Sequence, residues 1–255
     1  MIVTTTAMRL SKLTGRQLAI QVDGKTVNES KCEKILGILA NNKLTWHHHM
    51  FGDQTDPNKP IPGLISQLSR RVGMLARISS LVPYDRFKLL VNGLFMSKLL
   101  YCLPLFANIW GLKTTQEGET RNNSFTQSHL RSLQTLQNKI LRLLSGLKYE
   151  TPTVQLLEKT KMLSVNQLVA YTTMMIVFKV HDSSEPVYLA KRLKINAGGR
   201  ININFNLSRA REGFMYRAAK SFSSLPTEIK TESKIRIFKT KLKEWIKSNI
   251  PAIPF

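Results

Sequence analysis

From residue 64 onward the apolar residues recur with a helical period almost to the end of the chain, which restricts the molecule to a mainly helical fold. In "SHLRSLQTLQNKILRLLSG" the residues Leu130, Leu133, Leu136, Ile140, Leu141 and Leu144 share one face, and Gly146 stands where a C-terminal cap belongs. "TPTVQLLEK" opens with Thr151 and Pro152 in N-cap and first-turn positions. Ser164 followed by Gln167 predicts a capping box ahead of "LVAYTTMMIVFKV", and Pro83 marks another helix start. The last helix, "SKIRIFKTKLKEWIK", separates its faces. Ile235, Phe238, Leu242, Trp245 and Ile246 form an apolar stripe, with Arg236, Lys239, Lys243 and Lys247 away from it.

The first part of the chain has β character. "MIVTTT" is β-branched, "LAIQV" alternates, and Asp23-Gly24 in "VDGKTV" is a two-residue hairpin signal. "KILGIL" predicts a further short strand, and "FGDQTDPNKPIPG" a loop. A β meander this small cannot bury both faces and must lie against something else. The expected layout is an antiparallel β meander over 1–46, a linker over 47–63, a helical domain over 64–190 and a basic helical region over 191–255. The stretch "GLKTTQEGETRNNSFTQ" is a polar connection between helical blocks, and no internal repeat is present.

Charge narrows the function. Thirty-eight Lys and Arg stand against sixteen Asp and Glu, a net +22 that makes a polyanion the default partner. Between Pro186 and Phe255, fifteen Lys and Arg face four acids. Cys32 and Cys102 stand alone and far apart, which argues against a disulfide framework or a structural zinc site and fits a reducing, intracellular compartment, nuclear or cytoplasmic. The longest apolar stretch, "LVNGLFMSKLLYCLPLFANIWGL", is interrupted by Asn92, Lys98, Pro104 and Asn108 and reads as buried helix rather than membrane span. "MIVTTTAMRLSKL" lacks the basic n-region of a signal peptide.

Phosphoryl-transfer enzymes hold two metal ions roughly 4 Å apart on clustered carboxylates. Here no two acids are adjacent, and near pairs such as Asp53 with Asp56 and Glu117 with Glu119 sit in polar stretches that read as surface loops. No phosphate-cradling glycine loop or nucleophile elbow is present, and Gly198-Gly199-Arg200 is a lone loop signal. The three histidines of "TWHHHM" do not converge on one ion, because strand neighbours point oppositely and helix neighbours diverge by about 100°. They predict a turn, with Trp46 packed and His47 and His48 exposed, and no metal.

The segment carrying these histidines has a second pattern. Lys34, Ile35, Leu36, Gly37 and Ile38 read as an apolar strand, followed after a turn by Leu44, Thr45, Trp46 and His49. This resembles the post-catalytic region of reverse transcriptases from LINE-like (non-LTR) retrotransposons. "MIVTTT", "LISQLSRRVGMLARIS", "KLLVNGLFMSKLLYCLPLFANIWG", "LQTLQNKILRLLSG", "LSVNQLVAYTTMMIVFKV", "SRAREGFMYRAAKSFSSLP" and "FKTKLKEWI" are similar, in order, to the end of the palm, the thumb helices and the segments beyond. The likeness covers nearly the whole chain. The aromatic-x-Asp-Asp polymerase signature is absent, "ANN" at Ala40 to Asn42 replaces an acid common in that family, and no Cys-Cys-His-Cys cluster follows.

The resemblance implies a non-catalytic portion of an RNA-directed DNA polymerase that keeps the last palm strands but lacks the fingers and the rest of the palm, with Mg2+ needed only by a full-length parent. It implies a primer grip at the strand pair holding Lys34 and Gly37, and duplex contacts from Arg70, Arg71 and Arg77 on the first thumb helix. The basic tail adds Arg209, Arg211, Arg217, Lys239, Lys243 and Lys247. Expected partners are RNA, an RNA–DNA hybrid or a DNA duplex, together with the rest of such a polymerase, and no membrane. The rival readings are a stand-alone helical nucleic-acid-binding protein and a basic peripheral membrane protein using the Trp245 helix.

Overall fold

The computed structural model describes residues 19–28, 30, 32–41, 46–53, 60–107, 127–196, 201 and 213–252. The chain is mainly helical, with short antiparallel strand pairs near its N-terminus. The chain falls into two compact units that divide between Arg70 and Arg71, within a helix. "MIVTTT", Gly198-Gly199-Arg200 and most of the polar connection after Trp110 lie outside the described residues.

In the first unit, β1 (Ala19–Val22) and β2 (Lys25–Asn28) pair through a turn in which Asp23 and Gly24 have φ of 49° and 74°. Those two positive values are what Asp-Gly supplies most cheaply in a hairpin. A second hairpin joins β3 (Cys32–Ile35) to β4 (Ile38–Asn41), pairing Lys34 with Leu39 and Ile35 with Ile38. Its turn is Leu36-Gly37, at φ 48° and 84°. This corrects the reading of Lys34 to Ile38 as one strand: the chain reverses inside the apolar run, and Gly37 is there for its left-handed backbone. One helical turn, α1 (His47–Phe51), then packs on β4, and β5 (Gly52–Asp53) pairs with β6 (Ile61–Pro62) inside the segment expected to be a loop. The expected small antiparallel β region thus consists, among the described residues, of the short pairs β1–β2 and β3–β4, with β5–β6 following it.

The β5–β6 pair depends on an approach of backbone to backbone. A Cβ placed on Gly63 would collide with the backbone of Met50, Phe51 and Gly52, and one on Gly52, at φ 100°, with Ile61 and Gly63. No flexible side chain is present there to yield. Gly63→Ala is therefore expected to destabilise this unit by roughly 2–3 kcal/mol. Hydrogen exchange should show protection lost over β3, β4 and α1, and not over the helices beyond residue 127.

The helix α2 (Leu64–Ile78) leads into the second unit, and α3 (Tyr84–Leu90) follows Pro83 as its N-cap. Helix α3 runs through a π turn at Val91–Met96 into α4 (Ser97–Leu100) and, after Cys102 at φ 54°, a short α5 (Leu103–Phe106). By length and composition Tyr84–Phe106 could cross a membrane. Within this unit, though, it buries Phe87, Val91, Phe95, Leu99, Leu103 and Phe106. The remaining helices are α6 (Gln127–Ser145), α7 (Thr153–Thr160), α8 (Val165–Ser183), α9 (Val187–Arg192), α10 (Phe214–Ser223), α11 (Thr227–Lys230) and α12 (Ile235–Asn249). Helix α7 has Pro152 as its N-cap, one residue later than the sequence implied.

Helix α8 is the axis of this unit. It is apolar nearly all round, as a helix buried in a core is, and α5, α6, α9, α10 and α12 all pack on it. Its capping box is formed: Ser164 Oγ accepts from the Gln167 N–H, and Gln167 Oε1 from the Ser164 N–H, both at 3.2 Å. Amides also tie this end of α8 to its neighbours. Gln134 Oε1 accepts from the Val165 N–H at 2.9 Å, and Gln137 Nε2 donates to Leu163 O at 2.8 Å. Gln167 Nε2 and Asn166 Nδ2 donate to the carbonyls of Ile250 and Pro251, at 3.0 and 2.9 Å. Each buried polar group here has a partner, which makes the knot specific rather than merely cohesive.

Candidate nucleic-acid interface

Helix α12 is held on α8 in two places. Phe238, Leu242 and Ile246 are fully buried, and the Phe238 ring stacks on Phe178 at 4.0 Å between centroids. Beyond its C-terminus, the Ile250 and Pro251 carbonyls are taken up by Gln167 and Asn166. With the apolar face so fixed, Arg236, Lys239, Lys243 and Lys247 are all exposed. At the helical period they fall within about 80° of one another, along about 16 Å of axis. Trp245 is half-buried, and Lys243 lies over the Tyr171 ring of α8, 5.8 Å from its centroid.

The electrostatics of α12 run against local stability. No acid sits in its first turn, Lys234 caps it without a side-chain hydrogen bond, and Arg236 adds positive charge at the positive end of the helix dipole. Lys239, Lys243 and Lys247 repeat at the i, i+4 spacing at which like charges repel by a few tenths of a kcal/mol per pair. Among the described residues the one ion pair is Lys241 with Glu232, at 2.9 Å. That hydrogen bond, with a second from the Lys234 N–H, holds the Glu232 carboxyl below its ordinary range. Lys241 projects away from the four-cation stripe, so the single carboxylate partner does not neutralise the stripe.

The other residues named from sequence divide. Lys34 is exposed on β3, beside a hairpin tip whose Ile35 and Leu36 are also exposed, Leu36 at 85%. Arg70 and Arg77 are exposed on α2. Arg71 is half-buried and donates to the Leu94 carbonyl inside the π turn, where the wider helical register leaves backbone acceptors to be satisfied from outside. Arg209 and Arg211 lie outside the described residues.

Arg217 requires a correction. It is 4% exposed, donating to the Ala107 carbonyl and, at 2.9 Å, to that of Leu105. Burial pulls its guanidinium down to about 10, still charged at neutral pH. It caps the C-terminal end of α5 from α10 and does not face solvent, so it is no phosphate contact.

Two sequence readings of chemistry also change. Asp53 is buried rather than on a surface loop, and it sits against Cys32. Desolvation first, and then this carboxylate, push the Cys32 thiol up to about 11. Of the three histidines only His47 is exposed. His48 Nδ1 meets Asn41 Nδ2 at 3.0 Å, and buried His49 accepts from the Leu39 N–H at 3.4 Å. Among the described residues no three of His, Cys, Asp and Glu come together as metal ligands do.

A second basic helix escaped the sequence reading. Arg142, near the end of α6, lies 5.0 Å from the centroid of the Tyr149 ring, and that tyrosine is 80% exposed. The signal was present in the acid-free composition of α6, but the turn that brings Tyr149 back onto Arg142 was not. Comparison with protein-family models, with curated proteins and with solved structures finds no match to the chain.

Proposed function

We propose that this chain is a non-catalytic, nucleic-acid-binding portion of a retrotransposon-type reverse transcriptase, holding a primer–template duplex by its phosphates. The observation that carries the reading is the exposed four-cation stripe of α12, fixed to α8 at both ends and with no carboxylate partner among the described residues. Support comes also from the order of segments resembling palm end, thumb and tail, and from the net charge. Chemistry at a primer end would require the aromatic-x-Asp-Asp hairpin of a palm, which this sequence does not contain. The chain's part is grip.

Phosphate contacts carry no sequence information, so binding should be salt-dependent and nearly indifferent to sequence. The membrane reading is disfavoured on a specific ground. The face of α12 that would enter a bilayer, Phe238, Leu242 and Ile246, is already buried against α8.

Fluorescence anisotropy with an RNA–DNA hybrid and a DNA duplex over a salt series tests the proposal. Four phosphate contacts predict a log–log slope of roughly −3 to −4, or roughly a hundredfold loss between about 50 and about 200 mM salt. A flat salt response would sink it. Tighter binding to anionic vesicles than to duplex would transfer the function to the membrane.

A further inference from the structure

We infer that the chain has a second nucleic-acid surface, separate from the stripe on α12, and that it takes an unpaired strand: the exposed edge of α6, ending at Tyr149. The inference rests on the nucleic-acid reading above but concerns other residues and a different form of the polymer.

Helix α6 contains no Asp or Glu. Its apolar side, Leu130, Leu133, Ile140 and Leu141, is fully buried. On the opposite side Arg131 and Lys139 are exposed and Arg142 is half-exposed. These three positions, eight and then three residues apart, fall within about 80° around the helix and along about 16 Å of its axis. They form a track of positive charge that ends at an aromatic ring.

That ring is built to be used from one side. The Arg142 guanidinium lies over one face of Tyr149, and its Nη2 donates to the Thr151 carbonyl at 3.2 Å, which pins the cation beneath the ring. Among the described residues no second ring or cation lies over the other face, and the residue is 80% exposed. A large aromatic left in water, held flat by a cation behind it, is what a nucleobase stacks on. The flanking Lys148 and Glu150 are both exposed and cancel in charge, leaving the α6 track to set the local potential.

An electrostatic track joined to a stacking platform is the arrangement with which proteins hold single strands, because every base has a π face while every nucleotide has a phosphate. The α12 stripe is different. The aromatics beside it are withdrawn from solvent: Phe238 is buried and stacked on Phe178, and Trp245 and Tyr171 are half-buried. It offers phosphate contacts without a platform and suits a duplex. On this chain the two surfaces therefore divide paired from unpaired nucleic acid.

The test uses the whole chain and its Tyr149→Ala and Tyr149→Trp variants, with oligothymidylate of about 15 nucleotides and a duplex of equal length. Tyr149→Ala is expected to weaken oligothymidylate binding about tenfold and duplex binding less than twofold, with an unchanged melting temperature, since the ring is exposed. Tyr149→Trp should restore single-strand affinity, with its fluorescence quenched on binding, and a 5-iodouracil-substituted strand should photocrosslink to Tyr149 in the wild type. An equal loss on both polymers, no loss on either, or a wild type that binds only duplex overturns this inference while leaving the duplex proposal standing. Single-strand binding that depends on Tyr149, with no duplex binding, supports it and removes the duplex proposal instead. Binding to neither removes both.

Discussion

Replacing Arg236, Lys239, Lys243 and Lys247 together with glutamine is expected to weaken duplex binding roughly a hundredfold or more at low salt and to flatten the salt slope by about 3 to 4. The fold should not suffer. All four side chains are exposed, the helix is held by Phe238, Leu242 and Ile246, and removing repelling neighbours at i, i+4 stabilises an isolated helix by a few tenths of a kcal/mol per pair. A control lies on the same helix. Lys241→Gln removes one charge of the same type, but that charge is engaged by Glu232, so affinity should fall less than about twofold. If the fourfold variant keeps the wild-type salt slope, α12 does not touch phosphate and the function must be sought elsewhere. If Lys241→Gln costs as much as any one of the four, binding reads overall charge and not a surface.

The part of this fold that is legible in the sequence is the part set by local chemistry. The Asp23-Gly24 turn, the Ser164–Gln167 capping box, the Pro83 start and the buried face of α6 each depend on residues within a few positions of one another. Where the reading went astray, a distant partner or a hidden reversal was responsible. Lys34 to Ile38 is uniformly apolar after its first residue, and periodicity cannot reveal that such a run folds back at Leu36-Gly37. Asp53 sits among polar loop residues in sequence, yet its neighbour is Cys32, on the strand β3. The candidate site was legible to the same degree. Arg236, Lys239, Lys243 and Lys247 could be placed because an amphipathic helix assigns its own faces. Arg217 could not, since nothing near it in sequence announces two carbonyls more than a hundred residues upstream.

That arginine separates structure from binding most sharply. Arg217→Met removes the donors that satisfy the Ala107 and Leu105 carbonyls while roughly preserving volume, leaving a buried acceptor at Ala107 and a part-buried one at Leu105 unpaired, at about 1–3 kcal/mol for the buried one. A net loss of roughly 3 kcal/mol follows, partly offset because no charge need be buried any longer, which for a unit of this size lowers Tm by roughly 10 °C. Arg217→Lys keeps the charge but not the planar fork that reaches two carbonyls, so it should fall between the two. The pH dependence has a definite sign. Burial lowers this guanidinium to about 10, so from about that pH upward the unfolded chain binds the proton more tightly than the folded chain, and the group's contribution to stability rises with pH. An arginine that contacted phosphate would behave in the opposite manner: its loss would leave Tm alone and lower the salt slope by about 1. Measured well below the melting transition, Arg217→Met should instead bind duplex with the wild-type slope, and a reduced slope with an unchanged Tm would return Arg217 to the surface.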